Sequence, residues 1–217
     1  MKKVMIFDFD YTLGDSTKGI IASINFALEK MNLKPAPEDR IVKTVGLSLE
    51  EIYEVLTGRS DSGEMETFKQ YFREKADEVM VNNTKLYGGI KEMLEQVHSK
   101  GRKTAIVTTK YHYRIKQILA AHQMEHLIDS IIGVEDVKKP KPDPEGVWNI
   151  KEQFGVSLED ILYVGDSLVD AKTAQGAGVD FIAVLTGTTV AEDFQEYPYL
   201  KILNSAAELG SQKEAML

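Results

Sequence analysis

Two aspartates one residue apart, Asp8 and Asp10, stand at the end of the apolar run Val4-Met5-Ile6-Phe7. Such a run reads as a strand buried on both faces. Carboxylates at its end are costly unless a cation or a hydrogen-bond network receives them. Asp166 follows the run ILYVG in the same way, with Asp170 in the first turn of the helix expected next. The run 104–108 leads into Thr108-Thr109-Lys110, and residues 137–144, VKKPKPDP, form a proline-braced basic loop. Hard carboxylate oxygens suit Mg²⁺, which takes one or two protein carboxylates plus substrate phosphate. Such an ion offsets the repulsion between a carboxylate nucleophile and an anionic phosphate. A lysine and a hydroxyl can hold the remaining phosphoryl oxygens, and a second carboxylate can protonate a leaving group and then activate water. Charge alone does not decide which of Lys138, Lys139 and Lys141 turns inward.

These residues need elements that bring them together. Apolar runs at 4–7, 104–108, 130–134, 161–164 and 181–185 alternate with stretches of helical spacing such as Ile90, Met93, Leu94 and Val97. Asp143-Pro144 reads as an N-cap with proline at the first helical position. The small residues Ala171, Ala174 and Ala177 suit a helix lying close on a sheet. Ser205-Ala-Ala-Glu208 reads as a capping box for a last short helix. The expectation is an α/β fold, a Rossmann-like parallel sheet with helices on both faces. In such a sheet ligands bind at the carboxyl ends of the strands, where strand order switches. Residues 15–85 break the alternation, offering only helical patterns: Ile20, Ile21, Ile24, Leu28 and Met31 on one face, Phe68, Phe72, Ala76 and Val79 on another. A crossover needs about a dozen residues, so a small α-helical domain is expected to be inserted after the first strand. The core then comprises 1–14 and 86–217.

The chain has 217 residues and a formal net charge of −8, which argues against a nucleic-acid polymer or an anionic membrane held by a broad basic surface. There is no run long enough to span a membrane and no signal-peptide pattern, so a cytoplasmic location is expected. Without cysteine there is no thiolate nucleophile, disulfide or Cys-ligated metal.

The stretch FDFDYTLGDS resembles the DxDxT motif of the haloacid dehalogenase-like hydrolases, a phosphatase-rich superfamily. AIVTTK resembles its second motif, KPKPDP its lysine-bearing third, and VGDSLVDAKTAQGAG its GDxxxD fourth. The order matches, the insertion falls where the family carries its C1-type cap, and the likeness is greatest to the phosphoglycolate phosphatase-like branch. The resemblance implies Asp8 as nucleophile, forming an aspartyl-phosphate, and Asp10 as general acid/base. It implies Thr108 and Lys139 on the phosphoryl group with Thr109 nearby, Lys139 being selected by the K-P-x-P register. Mg²⁺ would be held by Asp8, Asp166 and the Asp10 backbone carbonyl, with Asp170 supporting the metal shell or orienting Lys139. The implied activity is a Mg²⁺-dependent phosphatase acting on a small phosphorylated metabolite: phosphoglycolate, a sugar phosphate or a nucleotide. The protein would be a monomer or homodimer. Tyr11 departs from the pattern, standing where glycine is usual.

The alternatives within the family are a pyrophosphatase and a phosphoglucomutase-like member, the latter disfavoured because Leu49 stands where mutases carry arginine. From another class comes a phosphate-binding or receiver-like signalling protein, which would not hydrolyse its phosphate; the insertion counts against it. His122 and His126 have a metal-compatible spacing but read as surface or partly packed residues. Ser48-Leu-Glu-Glu51 reads as a structural capping box.

Overall fold

The computed structural model describes residues 2–211. In chain order the elements are β1 (Val4–Phe7), β2 (Gly14–Asp15), α1 (Thr17–Lys30), α2 (Glu38–Val42), α3 (Leu49–Thr57), α4 (Ser62–Val79), β3 (Lys85–Leu86), α5 (Ile90–Ser99), β4 (Lys103–Val107), α6 (His112–Ala121), β5 (Ser130–Ile132), α7 (Glu145–Phe154), β6 (Ile161–Gly165), α8 (Leu168–Ala177), β7 (Asp180–Val184) and β8 (Lys201–Leu203). Two compact units result: residues 16–85, and the remainder on either side of them.

The larger unit is built on a six-stranded sheet in the order β5-β4-β1-β6-β7-β8. Its strand pairs are parallel. All four residues of β1 are fully buried, as an apolar run between two neighbours requires. Strand order reverses around β1, which has β4 on one side and β6 on the other, so the switch point lies at the carboxyl ends of these three strands. One face of the sheet packs Val4, Ile6, Ala105, Val107 and Tyr163 against Val147 and Ile150 of α7 and Ala171, Ala174 and Ala177 of α8. The three alanines let α8 approach closely, as their spacing implied. β2 and β3 form a separate two-stranded sheet.

Three local expectations shift. Thr108 lies just beyond β4, and its N–H donates to the Ile132 carbonyl at 3.0 Å. α7 begins one residue later than the Asp143-Pro144 signal suggested: Pro144 occupies the cap and the Asp143 carboxylate accepts the Glu145 N–H at 3.0 Å. β8, the edge strand beside β7, was not anticipated, because Lys-Ile-Leu is too short to carry a periodic signal. The segment after Ser205 is a 3₁₀ helix over Ala206–Ser211.

The helical unit contains α1 to α4. Phe68, Phe72, Ala76 and Met80 form the buried stripe of its longest helix, a strict i+4 series that ends on Met80 rather than Val79. Ser48 and Glu51 form the expected reciprocal box at α3: the Ser48 hydroxyl accepts the Glu51 N–H, and the Glu51 carboxylate accepts the Ser48 N–H at 2.9 Å. Ser48 is structural.

Candidate active site

Asp8 is the first residue after β1, Thr108 the first after β4 and Asp166 the first after β6, so adjacent strand ends deliver all three to one edge. The Asp8 N–H still donates to the Val164 carbonyl at 2.9 Å, fixing its backbone to the neighbouring strand. Asp8, Asp10, Asp166 and Asp170 are all buried, Asp170 completely. Carboxylate oxygens of Asp8, Asp166 and Asp170 lie within 4.8 Å of one another.

Two ammonium groups enter this cluster. Lys141 Nζ donates to Asp8 Oδ1 and to Asp170 Oδ1, each at 2.7 Å, and its side chain is 3 % exposed. Lys110 Nζ lies 2.8 Å from Asp10 Oδ2. The Thr12 hydroxyl donates to Asp166 Oδ1 at 3.1 Å. Asp170 is saturated: Oδ1 also accepts from the Tyr163 hydroxyl at 3.2 Å, and Oδ2 accepts from the Ser167 N–H at 3.1 Å and hydroxyl at 2.6 Å. With four donors on its lone pairs, Asp170 is committed to orienting Lys141 and capping α8.

The assignment of Lys139 requires correction. Its side chain is exposed, and its N–H is tied to the Glu145 carboxylate at 3.0 Å, in the loop before α7. Lys141 occupies the inward place. The reason is in the sequence: K-P-x-P occurs twice, at 139–142 and at 141–144, and only the second places its lysine two residues nearer α7, where the side chain reaches Asp8 and Asp170. Of the other expected residues, Asp8, Asp10, Thr108, Asp166 and Asp170 come together; Thr109 is half-buried in the same loop. Lys110 and Thr12 were missed, although both lie inside the quoted motifs: Lys110 directly follows the threonine pair, and Thr12 is the threonine of DxDxT.

Tyr11 adopts φ 60°, in the left-handed region where a side chain costs about 1–2 kcal/mol. This explains why glycine suits the position. Here the turn is held by three amide N–H groups (Thr12, Leu13, Gly14) converging on the Phe9 carbonyl, by the Tyr11 N–H on the Gly14 carbonyl at 2.7 Å, and by the Thr186 hydroxyl on the Tyr11 carbonyl.

Four buried carboxylates against two ammonium groups leave two negative charges without a counter-charge in the cluster. Burial pushes the Asp8 carboxyl up to about 7, with Asp170 and Asp10 adding to the push against the pull of Lys141. Burial and the charges of Asp170 and Asp8 raise Asp166 well above the usual carboxylate range. For Lys141 burial works against the charge, but Asp170 and Asp8 outweigh it and hold its proton well above the ordinary lysine range. Asp10 Oδ1 is buried with no hydrogen-bond partner. Gly187 makes room for Asp166: a Cβ there would fall 1.9 Å from Asp166 Oδ2. An oxygen-rich site with two surplus negative charges and an orphaned oxygen fits a hard divalent cation. A second group, His112, Glu135 and Asp136, is partly exposed, and its carboxylates already receive the backbone N–H groups of His112 and Gly133.

A family model described as haloacid dehalogenase-like hydrolase matches residues 5–184. The chain belongs to that family. A phosphoglycolate phosphatase of Aquifex aeolicus is 31% identical over 186 residues, covering 85% of each chain. That of Haemophilus influenzae is 29% identical over 197 residues, covering 85% of this chain and 86% of its own. Among solved structures, a protein of Bacteroides fragilis assigned as a haloacid dehalogenase-like hydrolase superposes with a TM-score of 0.93 at 40% identity, covering 96% of this chain and 100% of the other. Family membership makes the chain a hydrolase, and its parallel α/β fold is shared with the Bacteroides fragilis structure.

Proposed function

We propose that this hydrolase is a Mg²⁺-dependent phosphatase that cleaves a small phosphomonoester through an aspartyl-phosphate on Asp8. The observation that carries the reading is the buried set of four carboxylates and two ammonium groups, two charges short of neutrality, at the switch point of the sheet. Similarity to phosphoglycolate phosphatases supports the substrate class. Mg²⁺ would be held by Asp8, Asp166 and the Asp10 backbone carbonyl, and would supply charge neutralisation for the anionic phosphate.

The side chains then divide the work. Lys141 holds Asp8 Oδ1, which leaves the other oxygen to attack phosphorus. Asp10, anchored through Oδ2 by Lys110, has Oδ1 available to protonate the leaving oxygen. With the leaving group gone, the same carboxylate takes a proton from water, which attacks the phosphorus of the aspartyl-phosphate and restores Asp8. Thr108, whose hydroxyl also accepts the Lys110 N–H at 3.3 Å, and Lys141 bind the phosphoryl oxygens as charge develops on them. The inserted helical unit is proposed to serve as the cap domain and to carry substrate specificity.

The test is phosphate release from a panel of phosphoglycolate, sugar phosphates, nucleotides and pyrophosphate, with Mg²⁺ and with chelator. Pyrophosphate belongs in the panel because a relative of Caldanaerobacter subterraneus, 29% identical over 180 residues, is assigned as a pyrophosphatase. Release that requires both Mg²⁺ and Asp8 is expected. Wild-type turnover by Asp8→Asn would overturn the nucleophile assignment.

A further inference from the structure

We infer that Tyr163, which lies in none of the four sequence motifs, is a positioning residue that holds Lys141 and Asp170 in register with the end of β4. The inference rests on the phosphoryl-transfer reading above. Tyr163 is the third residue of β6 and fully buried. Its ring sits in the apolar layer formed by Val107, Val147, Ile150 and Ala174, and packs against Phe181 with ring centroids 6.3 Å apart. Its hydroxyl leaves that layer and meets polar groups from two directions: the Val107 carbonyl at 3.2 Å and Asp170 Oδ1 at 3.2 Å.

Val107 immediately precedes Thr108, and Asp170 holds Lys141. One hydroxyl thus joins the strand that delivers Thr108 to the helix that delivers Asp170. Lys141 is the third party. Its Nζ lies 6.0 Å from the Tyr163 ring centroid and donates to Asp170 Oδ1, the same oxygen that the Tyr163 hydroxyl reaches. An ammonium has three donors. Asp8 and Asp170 take two of them and fix its direction, which leaves the third for a phosphoryl oxygen. A ring locked in close-packed core is a rigid strut for this purpose, because its two torsions are set by neighbours on every side.

The experiment is Tyr163→Phe, which fills the same core space and removes only the oxygen. Hydrolysis of p-nitrophenyl phosphate in saturating Mg²⁺ is expected to lose about tenfold in kcat with KM moving less than about threefold, since the interaction acts in the transition state. In a Lys141→Ala background the same change should cost less than about twofold, because the strut has nothing left to hold. A wild-type kcat in Tyr163→Phe, or the full loss repeated without Lys141, would show that the hydroxyl is merely structural. Affinity for inorganic phosphate, measured by calorimetry on wild type and Tyr163→Phe and on both in the Lys141→Ala background, separates this inference from the reading beneath it. If wild type hydrolyses no ester, the phosphatase reading fails. A loss of phosphate affinity that depends on Lys141 would still uphold the strut, and unchanged affinity would discard it.

Discussion

Lys139 and Lys141 carry the same charge two residues apart, yet one faces solvent and the other is enclosed by Asp8 and Asp170. Replacing Lys141 with methionine should lower kcat by about 10²–10³-fold, the scale of losing one preorganised charge at a phosphoryl group. Lys139→Met should stay within about twofold, as surface substitutions do. Steady-state kinetics on the two variants checks the assignment, and reversed sensitivities would restore Lys139. Asp8 and Asp166 were legible in the sequence because each directly follows an apolar run, so strand end and chemistry coincide, and Asp10 and Asp170 stand two and four residues further on. The lysine was not, because a loop has no periodicity and the motif fits it twice. Tyr163 was illegible for another reason: a tyrosine within an apolar run reads as packing, and nothing local reveals where its hydroxyl points.

Among the elements, the loop after β7 acts on the site through the absence of a side chain. Gly187 lies against Asp166, so Gly187→Ala must displace either the loop or the carboxylate. Misplacement of a reacting or metal-holding group by about 1 Å costs on the order of 100-fold. Gly187→Ala should therefore lose about that much activity at saturating substrate and require more Mg²⁺ for half-maximal rate. An unchanged Mg²⁺ requirement would count against Asp166 as a metal ligand. The parallel sheet and α8 could be read from runs, alternation and the Ala171, Ala174, Ala177 spacing, because those patterns record burial. β8 could not, since an edge strand of three residues is defined by its pairing with β7 and not by its composition.

For the whole molecule, the site is a stability liability that a cation would relieve. A carboxyl with a folded pKa above its unfolded one contributes stability that is fully present below the unfolded value and lost as pH rises through the folded value. Asp8 moves from 3.8 to about 7, and Asp166 is raised as well. In chelator, Asp166→Asn should therefore melt above wild type, with the gap in Tm widening as pH rises above the ordinary carboxylate range. Adding Mg²⁺ should raise the Tm of wild type by mass action and that of the variant much less. Thermal melts at several pH values decide it; a gap that closes with rising pH would contradict the repulsion.

The same topology that seats Asp8 at the switch point also schedules the birth of the protein. β1 is made before both of its sheet neighbours, β4 and β6, which start at residues 103 and 161. At about 5–20 residues per second, the strand bearing Asp8 waits on the order of ten to thirty seconds for its second partner. Residues 16–85 form one uninterrupted stretch and need no such delay. β1 thus stays an apolar segment without its full set of sheet partners while residues 86–165 are made, and translation speed through them becomes a determinant of yield.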